Sequence, residues 1–263
     1  MKIRLNELKK CFGDKTAVDI AGFTINDGDM LGLVGNNGAG KTTLFRLMLD
    51  LLRADEGNVV FVPDRDAIAR EADRAAADGG AKGRVDLMAL TDEIDPSASE
   101  DWKLLTGAYI DNSFLIDFLT AEEYFEFVGR VSGLSKDETA QRLGLFDNFM
   151  SGEILGQKKY IRDMSAGNKQ KIGIVAAMLN RPQLLILDEP FNFLDPSSQH
   201  HLKHLLTDFN HETGATVLVS SHNLQHTVEI STRVALLEHG VIIDDIDNSD
   251  GKANAELEKY FNV

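Results

Sequence analysis

Residues Gly35-Asn36-Asn37-Gly38-Ala39-Gly40-Lys41-Thr42 match the pattern G-x-x-x-x-G-K-[ST], and Thr43 follows. Glycines let the backbone wrap so that successive N–H groups point inward at phosphate oxygens. A helix starting at the end of such a loop adds its positive N-terminal end. Lys41 is placed to bridge β- and γ-phosphates, and the Thr42 hydroxyl to ligate Mg²⁺. A second motif, Leu184-Leu185-Ile186-Leu187-Asp188-Glu189-Pro190, puts Asp188 147 residues after Lys41. Four aliphatics followed by two carboxylates set both acids at the end of a buried strand, where α/β sheets hold their ligands. Asp188 would hold Mg²⁺ through the water shell, and Glu189 would orient or deprotonate an attacking water. Between the two motifs lies Met164-Ser165-Ala166-Gly167-Asn168-Lys169-Gln170. Ser165 precedes a helix start, so its hydroxyl and the exposed N–H groups form an anion site.

The elements that must position these residues follow from periodicity. Residues 16–25, 30–35 and 58–62 read as strands, the second leading straight into the glycine-rich turn. Residues 41–52 carry Leu44, Phe45, Leu47, Met48, Leu51 and Leu52 at helical spacing. Residues 64–83 are rich in Ala, Asp and Arg and end in glycines, the composition of a surface insertion. Residues 102–110 return to the core. Thr120 caps a helix bearing Tyr124, Phe125, Phe127 and Val128, with Glu122 and Glu123 in its first turn. Further helices are predicted over 137–149 and 167–180. The apolar runs 184–187 and 215–219 have the character of parallel strands buried on both faces. Residues 233–237 and 241–243 flank His239-Gly240 as a hairpin, and the tail 247–263 reads as a short polar helix. Alternating strands and helices predict an α/β fold with a largely parallel sheet. The helix-only stretch 113–160 predicts an inserted all-α subdomain.

Composition narrows the setting. The 263 residues are 43% hydrophobic and 26% charged, with 27 basic and 42 acidic side chains and a net charge of −15. That supports a sizeable core without disulfides or structural metals. So acidic a surface repels nucleic-acid backbones, so any nucleic-acid partner would have to sit on a local basic patch, and none is expected. No apolar run approaches the ~18 residues of a membrane-spanning helix, and the start lacks the apolar stretch of a secretory signal. The single cysteine, Cys11, fits a reducing cytosol.

With these motifs in this order, the chain resembles the nucleotide-binding subunit of ATP-binding-cassette (ABC) transporters, and among them the bacterial exporter type. Ser165 and Gly167 match that family's signature Leu-Ser-Gly-Gly-Gln, whereas Met164, Ala166 and Asn168 depart from it. The resemblance implies a P-loop NTPase fold with a RecA-like core, residues 1–112 and 161–246, an antiparallel β edge, and the helical subdomain at about 113–160. It implies ATP and Mg²⁺ as ligands, and two copies pairing head to tail so that Ser165, Ala166, Gly167 and Asn168 meet the nucleotide of the partner. It further implies an aromatic stacking on adenine at Phe12, a partner contact at Asp195, and a γ-phosphate switch at His222, 33 residues after Glu189. Where the family has a Mg²⁺-sensing glutamine this chain has Asp111, with Asn112 the alternative, which would add a third carboxylate near the metal.

The activity so implied is ATP hydrolysis driving a separately encoded integral membrane permease, with the subunit held peripherally on the inner face of the cell membrane. The resemblance of segment 114–120 to exporter-type subunits favours export over import. The surface from Asp111 to Tyr124, with the apolar Phe114, Leu115, Ile116 and Phe118, is the expected permease contact. A rival reading is a soluble ABC-type ATPase acting on ribosomes or DNA through Lys158, Lys159, Arg162, Lys169 and Lys171. A generic phosphate-loop kinase or GTPase is opposed by the signature segment and by the absence of guanine-reading motifs.

Overall fold

A computed structural model describes residues 1–70, 91–222, 224–249, 251, 253 and 257. Its centre is a six-stranded sheet. The strands, in spatial order, are β5 (Thr106–Tyr109), β6 (Leu184–Leu187), β7 (Thr216–Ser221), β3 (Met30–Val34), β8 (Arg233–Glu238) and β9 (Val241–Asp247). The first five run parallel to their neighbours, and β9 returns antiparallel to β8. Every residue of β3, β6 and β7 is buried, because both faces of the sheet are covered. The period-two alternation of the strands divides those residues between two cores. Leu185 and Leu187 face one, while Leu184 and Ile186 face the other. Each such aliphatic side chain contributes about 1.5–3 kcal/mol by burial.

The second core lies under a three-stranded antiparallel sheet made of β1 (Lys2–Phe12), β2 (Lys15–Ile25) and β4 (Glu56–Val62), in the order β2-β1-β4. Ile3, Leu5, Val18 and Phe61 from this sheet meet Leu44 and Phe45 of α1 (Lys41–Met48). The first core is closed by helices. Between β5 and β6 come α2 (Ala121–Val131), α3 (Lys136–Gly144), α4 (Asp147–Met150) and α5 (Ala166–Met178). Between β6 and β7 lies α6 (Pro196–Thr213), and after β7 comes α7 (Leu224–Ile230). Two starts are closed by reciprocal capping boxes, Thr120 with Glu123 and Ser135 with Glu138, each satisfying two backbone donors that the first helical turn leaves open.

Several elements differ from the sequence reading. β1 was not foreseen: Ile3, Leu5 and Leu8 are all buried, but a bulge with Glu7 at φ 47° interrupts the alternation between Leu5 and Leu8. α6 was not foreseen either. α1 stops at Met48 rather than Leu52 because Asp50 turns left-handed at φ 50°, and Leu51 is left 49% exposed. The single helix expected over 137–149 breaks into α3 and α4. Of the 64–83 insertion only its first residues are described. Residues 65–70 are helical and Ile68 is buried in the second core; the rest lies outside the described residues. In the tail, β9 runs on to Asp247, and Ala253 and Leu257 pack against Val34 and Leu236; the remainder of the expected helix lies mostly outside the described residues. Among the described residues no helix is long and apolar enough to cross a membrane.

Candidate functional site

The phosphate loop is clamped from two sides. It leaves β3 at Gly35 and enters α1 at Lys41. The Ala39 carbonyl accepts from Gly240 N–H at 2.8 Å, and Gly240 in turn accepts from Asp19 of β2 at 2.8 Å. Glycine is required within this clamp. At Gly40, φ is 113°, and an added Cβ would stand 2.3 Å from the Ala17 carbonyl oxygen. Asn36, Asn37 and Gly38 are exposed at the tip, and Ala39 is buried beneath them. Lys41, itself buried, donates from Nζ to the Gly35 carbonyl at 2.7 Å and lies 3.7 Å from Glu189 Oε1. Thr42 and Thr43 follow in the first turn of the helix, both half-buried.

The end of β6 stands directly across. Thr42 Oγ1 donates to Asp188 Oδ2, and Ser220 Oγ at the end of β7 donates to Asp188 Oδ1. Burial pushes the Asp188 carboxyl above its ordinary value and Glu189 adds to the push; Ser220, Thr42 and Lys41 oppose it. A buried carboxylate facing a threonine hydroxyl is an oxygen-donor pair suited to Mg²⁺, an ion that takes one or two protein ligands and keeps most of its water. The residues therefore fit the metal that the sequence implies. Asp111 has other partners. Its carboxylate accepts from Ser113 N–H at 2.8 Å and from Arg46 Nη2 at 3.2 Å. Burial alone would raise its pKa, but the Ser113 and Arg46 contacts outweigh it and hold the group below the usual carboxylate range. Among the described residues no three His, Cys, Asp or Glu side chains converge as a metal site, and the Asp111 carboxylate, expected as a third near the metal, is engaged with Ser113 and Arg46. Asn112, the alternative, accepts from the Tyr109 hydroxyl at 2.9 Å.

Glu189 is held at several atoms. Its N–H donates to Ser220 Oγ at 2.9 Å, its carbonyl accepts from Gln170 Nε2 at 3.0 Å, and its backbone sits at φ 48°. For a non-glycine residue that left-handed conformation is sparsely populated, and its neighbours impose it. The carboxylate Oε2 meets His222 Nδ1 at 2.8 Å. The Glu189 carboxylate thus touches His222 with one oxygen and approaches Lys41 of the phosphate loop with the other.

The remaining predicted positions fall around this centre. Ser165 is the N-cap of α5 and accepts from Asn168 N–H at 3.1 Å. Ser165 and Ala166 are exposed. Among the described residues no hydrogen bond joins Ser165 through Asn168 to the phosphate loop of the same chain. Gly167 is packed so closely that a Cβ there would meet the Phe193 carbonyl oxygen at 2.7 Å. Asp195 caps α6, accepting from Ser197 N–H, Ser198 N–H and Ser198 Oγ at 3.0, 3.1 and 2.6 Å. Phe12 is not a core residue: it is 54% exposed, with Lys10 Nζ 5.7 Å from its ring centre. Sequence reasoning missed the supporting residues Tyr109, Gln170, Ser220 and Arg46. Gln170 lay within the quoted segment 164–170 and Ser220 two residues before His222, but no local signal marked them as contacts of Asp188 and Glu189.

Comparison with known proteins agrees with this geometry. The family model described as "ABC transporter" matches residues 18–192. An uncharacterized ABC transporter ATP-binding protein of Bacillus subtilis, YhaQ, is 29% identical over 261 residues, covering 97% of this chain and 76% of the relative. The methionine import ATP-binding protein MetN of Rhizobium johnstonii is 30% identical over 251 residues, covering 92% of this chain and 60% of the relative. The chain thus spans about three-fifths of the length of that second relative. A solved "Structure of ATP binding subunit of ABC transporter" superposes with a TM-score of 0.73 at 25% identity, covering 98% of this chain and 94% of the other. The mixed, mainly parallel sheet with its antiparallel edge is the P-loop NTPase fold that the resemblance implies. With two thirds of its residues inside the family match and the phosphate loop facing the Asp188–Glu189 pair, the chain belongs to the ABC transporter family, as an ATP-binding subunit and ATPase.

Proposed function

We propose that this chain binds ATP with Mg²⁺ on residues Gly35 to Thr43, with Phe12 against the adenine, and hydrolyses it as one half of a head-to-tail pair. In this reading Ser165, Ala166, Gly167 and Asn168 of each copy close over the nucleotide of the other, and Asp195 lies at the seam. Opening and closing of the pair would drive a separately encoded integral membrane permease that holds the subunit at the inner face of the membrane. The observation that carries the reading is the continuous contact set Lys41–Glu189–His222 beside Thr42–Asp188.

Each residue has a defined task. Lys41 exchanges its loop carbonyl for phosphate oxygens. Thr42 and Asp188 would hold Mg²⁺, which when bound would supply charge neutralisation on the phosphates. Glu189 takes or directs the proton of the attacking water, and His222 fixes the carboxylate at the oxygen that does so. The helix start at Lys41 presents backbone N–H groups to the phosphate chain.

Two further details concern the permease. Of the four apolar residues expected on its docking surface, Phe114 and Phe118 are 50% and 63% exposed, while Leu115 is buried and Ile116 packs on the first core. Phe114 and Phe118 are therefore the residues we assign to the partner. The export reading rests on the resemblance of segment 114–120, whereas one relative carries methionine import in its name.

The experiment is recovery of tagged Glu189→Gln protein from detergent-solubilised cells, with and without MgATP. Capture of a polytopic membrane protein is the expected result, and its identity would fix substrate and direction. Capture of ribosomes or DNA-bound factors instead would support the soluble-ATPase reading.

A further inference from the structure

Helix α6 carries histidines at positions 200, 201, 204 and 211, none of them used by the nucleotide chemistry. His200 and His204 stand one turn apart and both are exposed. The helix beneath them is fixed at both ends: Asp195 caps its first turn, and Gly214, at φ 69°, closes its last. The two rings stand edge to face with centroids 4.4 Å apart, and their Nε2 atoms approach to 3.1 Å. Two nitrogens bound to one zinc ion at 2.0–2.1 Å in a tetrahedron stand roughly 3.3 Å apart. The pair is therefore already at the spacing a chelated ion requires. In the contact between the rings one Nε2 carries the hydrogen that the other accepts. Moving that hydrogen to Nδ1 of its own ring frees both Nε2 lone pairs while both rings stay neutral.

The surroundings favour a cation. Lys203, adjacent to His204, is drawn away into an ion pair with Glu229. His201 turns inward, its Nδ1 buried. The chain as a whole carries a net charge of −15.

We propose that His200 and His204 form a two-histidine site for a borderline divalent transition-metal ion, Cu²⁺, Ni²⁺ or Zn²⁺, with water completing the coordination. Among the described residues no third His, Cys, Asp or Glu joins them. Imidazole donors select these ions over Mg²⁺, which demands oxygen. The site is separate from Thr42 and Asp188 and has no part in hydrolysis.

The test is calorimetric titration of nucleotide-free protein with Ni²⁺ and with Cu²⁺, comparing wild type with His200→Gln, His204→Gln and the control His211→Gln. Glutamine is a good helix former, so α6 persists in every variant. One ion per chain is expected, with Cu²⁺ the tighter. Each of the first two variants should weaken binding by about tenfold or more, and His211→Gln should leave it unchanged. Binding that survives both His200→Gln and His204→Gln, or a wild type that binds neither ion, would overturn the assignment.

Discussion

Gln170 on α5 donates from Nε2 to the backbone oxygen of Glu189 at 3.0 Å, and its Oε1 accepts the Tyr109 hydroxyl at 3.3 Å. This chain of contacts ties the helix capped by Ser165 to Glu189, the residue we propose directs the attacking water. Gln170 is buried, so Gln170→Leu breaks both bonds at a cost of about 0.5–1.5 kcal/mol each, although the Glu189 carbonyl keeps the Asn192 N–H at 3.1 Å and the Tyr109 hydroxyl keeps Asn112 Oδ1 at 2.9 Å. The backbone at Glu189, held left-handed by these neighbours, would relax and move its carboxylate. We expect kcat to fall by about tenfold, equivalent to about 1.4 kcal/mol, while ATP affinity, set by the phosphate loop, stays within about twofold. Steady-state kinetics beside nucleotide titration check this. Equal loss of both quantities would mean that Gln170 supports the whole fold rather than the position of Glu189.

Gly173 lies against Tyr109, and a Cβ at that position would stand 2.3 Å from two ring carbons. Gly→Ala inside an exposed helix ordinarily stabilises by up to about 1 kcal/mol. Here the sign reverses: Gly173→Ala should destabilise by about 1–3 kcal/mol, the usual cost of overpacking a core. Thermal or denaturant unfolding reads the difference. A variant as stable as wild type would show that the Tyr109 ring can retreat, and with it the link to Gln170.

How much was legible in the sequence depended on how local each feature is. The phosphate loop, the Asp188–Glu189 pair and the Ser165 turn each need contiguous residues for their chemistry, so their spacing is readable at sight. The Tyr109–Gln170–Glu189 chain joins three segments through tertiary packing, and nothing near any one of them announces the others. β1 is hidden by the bulge at Glu7, which breaks the period that marks a strand. α6 had local signals throughout: Asp195-Pro196 at its start, Leu202, Leu206 and Phe209 at helical spacing on its buried face, and Gly214 at its end. Asp195, read for a partner contact, is also the cap that starts this helix.

Asp111 gives a prediction with a definite pH sign. Its pKa in the folded chain is lowered, because the Ser113 bonds and Arg46 outweigh burial. A lowered carboxylate contributes stability that is present above the unfolded pKa of about 3.9 and lost as pH falls through the folded value. Both Arg46 and Asp111 are substantially exposed, so solvent screening limits the pair, and Asp111→Gln should cost about 0.5–1 kcal/mol at neutral pH. The gap between wild type and variant should close as pH is lowered below about 4. ATP binding should survive, since the carboxylate faces Arg46 and not Thr42. Melting curves from pH 3 to 7 with parallel nucleotide titration test both parts. A collapse of ATP binding would place Asp111 at the metal after all.

The pairing of two copies is tested by separating what Asp195 and Ser165 do within one chain from what they do between chains. Glu189→Gln should bind ATP and lose about 10²–10⁴ in hydrolysis, trapping a MgATP-dependent dimer visible by size-exclusion chromatography with light scattering. Adding Ser165→Arg places a bulky side chain on an exposed helix start and should abolish that dimer while leaving the monomer folded. Asp195→Asn is the sharper variant. Asparagine caps helices as well as aspartate, so α6 and the melting temperature should be kept, and only the charge at the seam is removed. A weakened dimer with unchanged melting would assign Asp195 a role beyond its cap. A dimer indifferent to both changes would place the contact between copies elsewhere on the chain and leave Asp195 a helix cap alone.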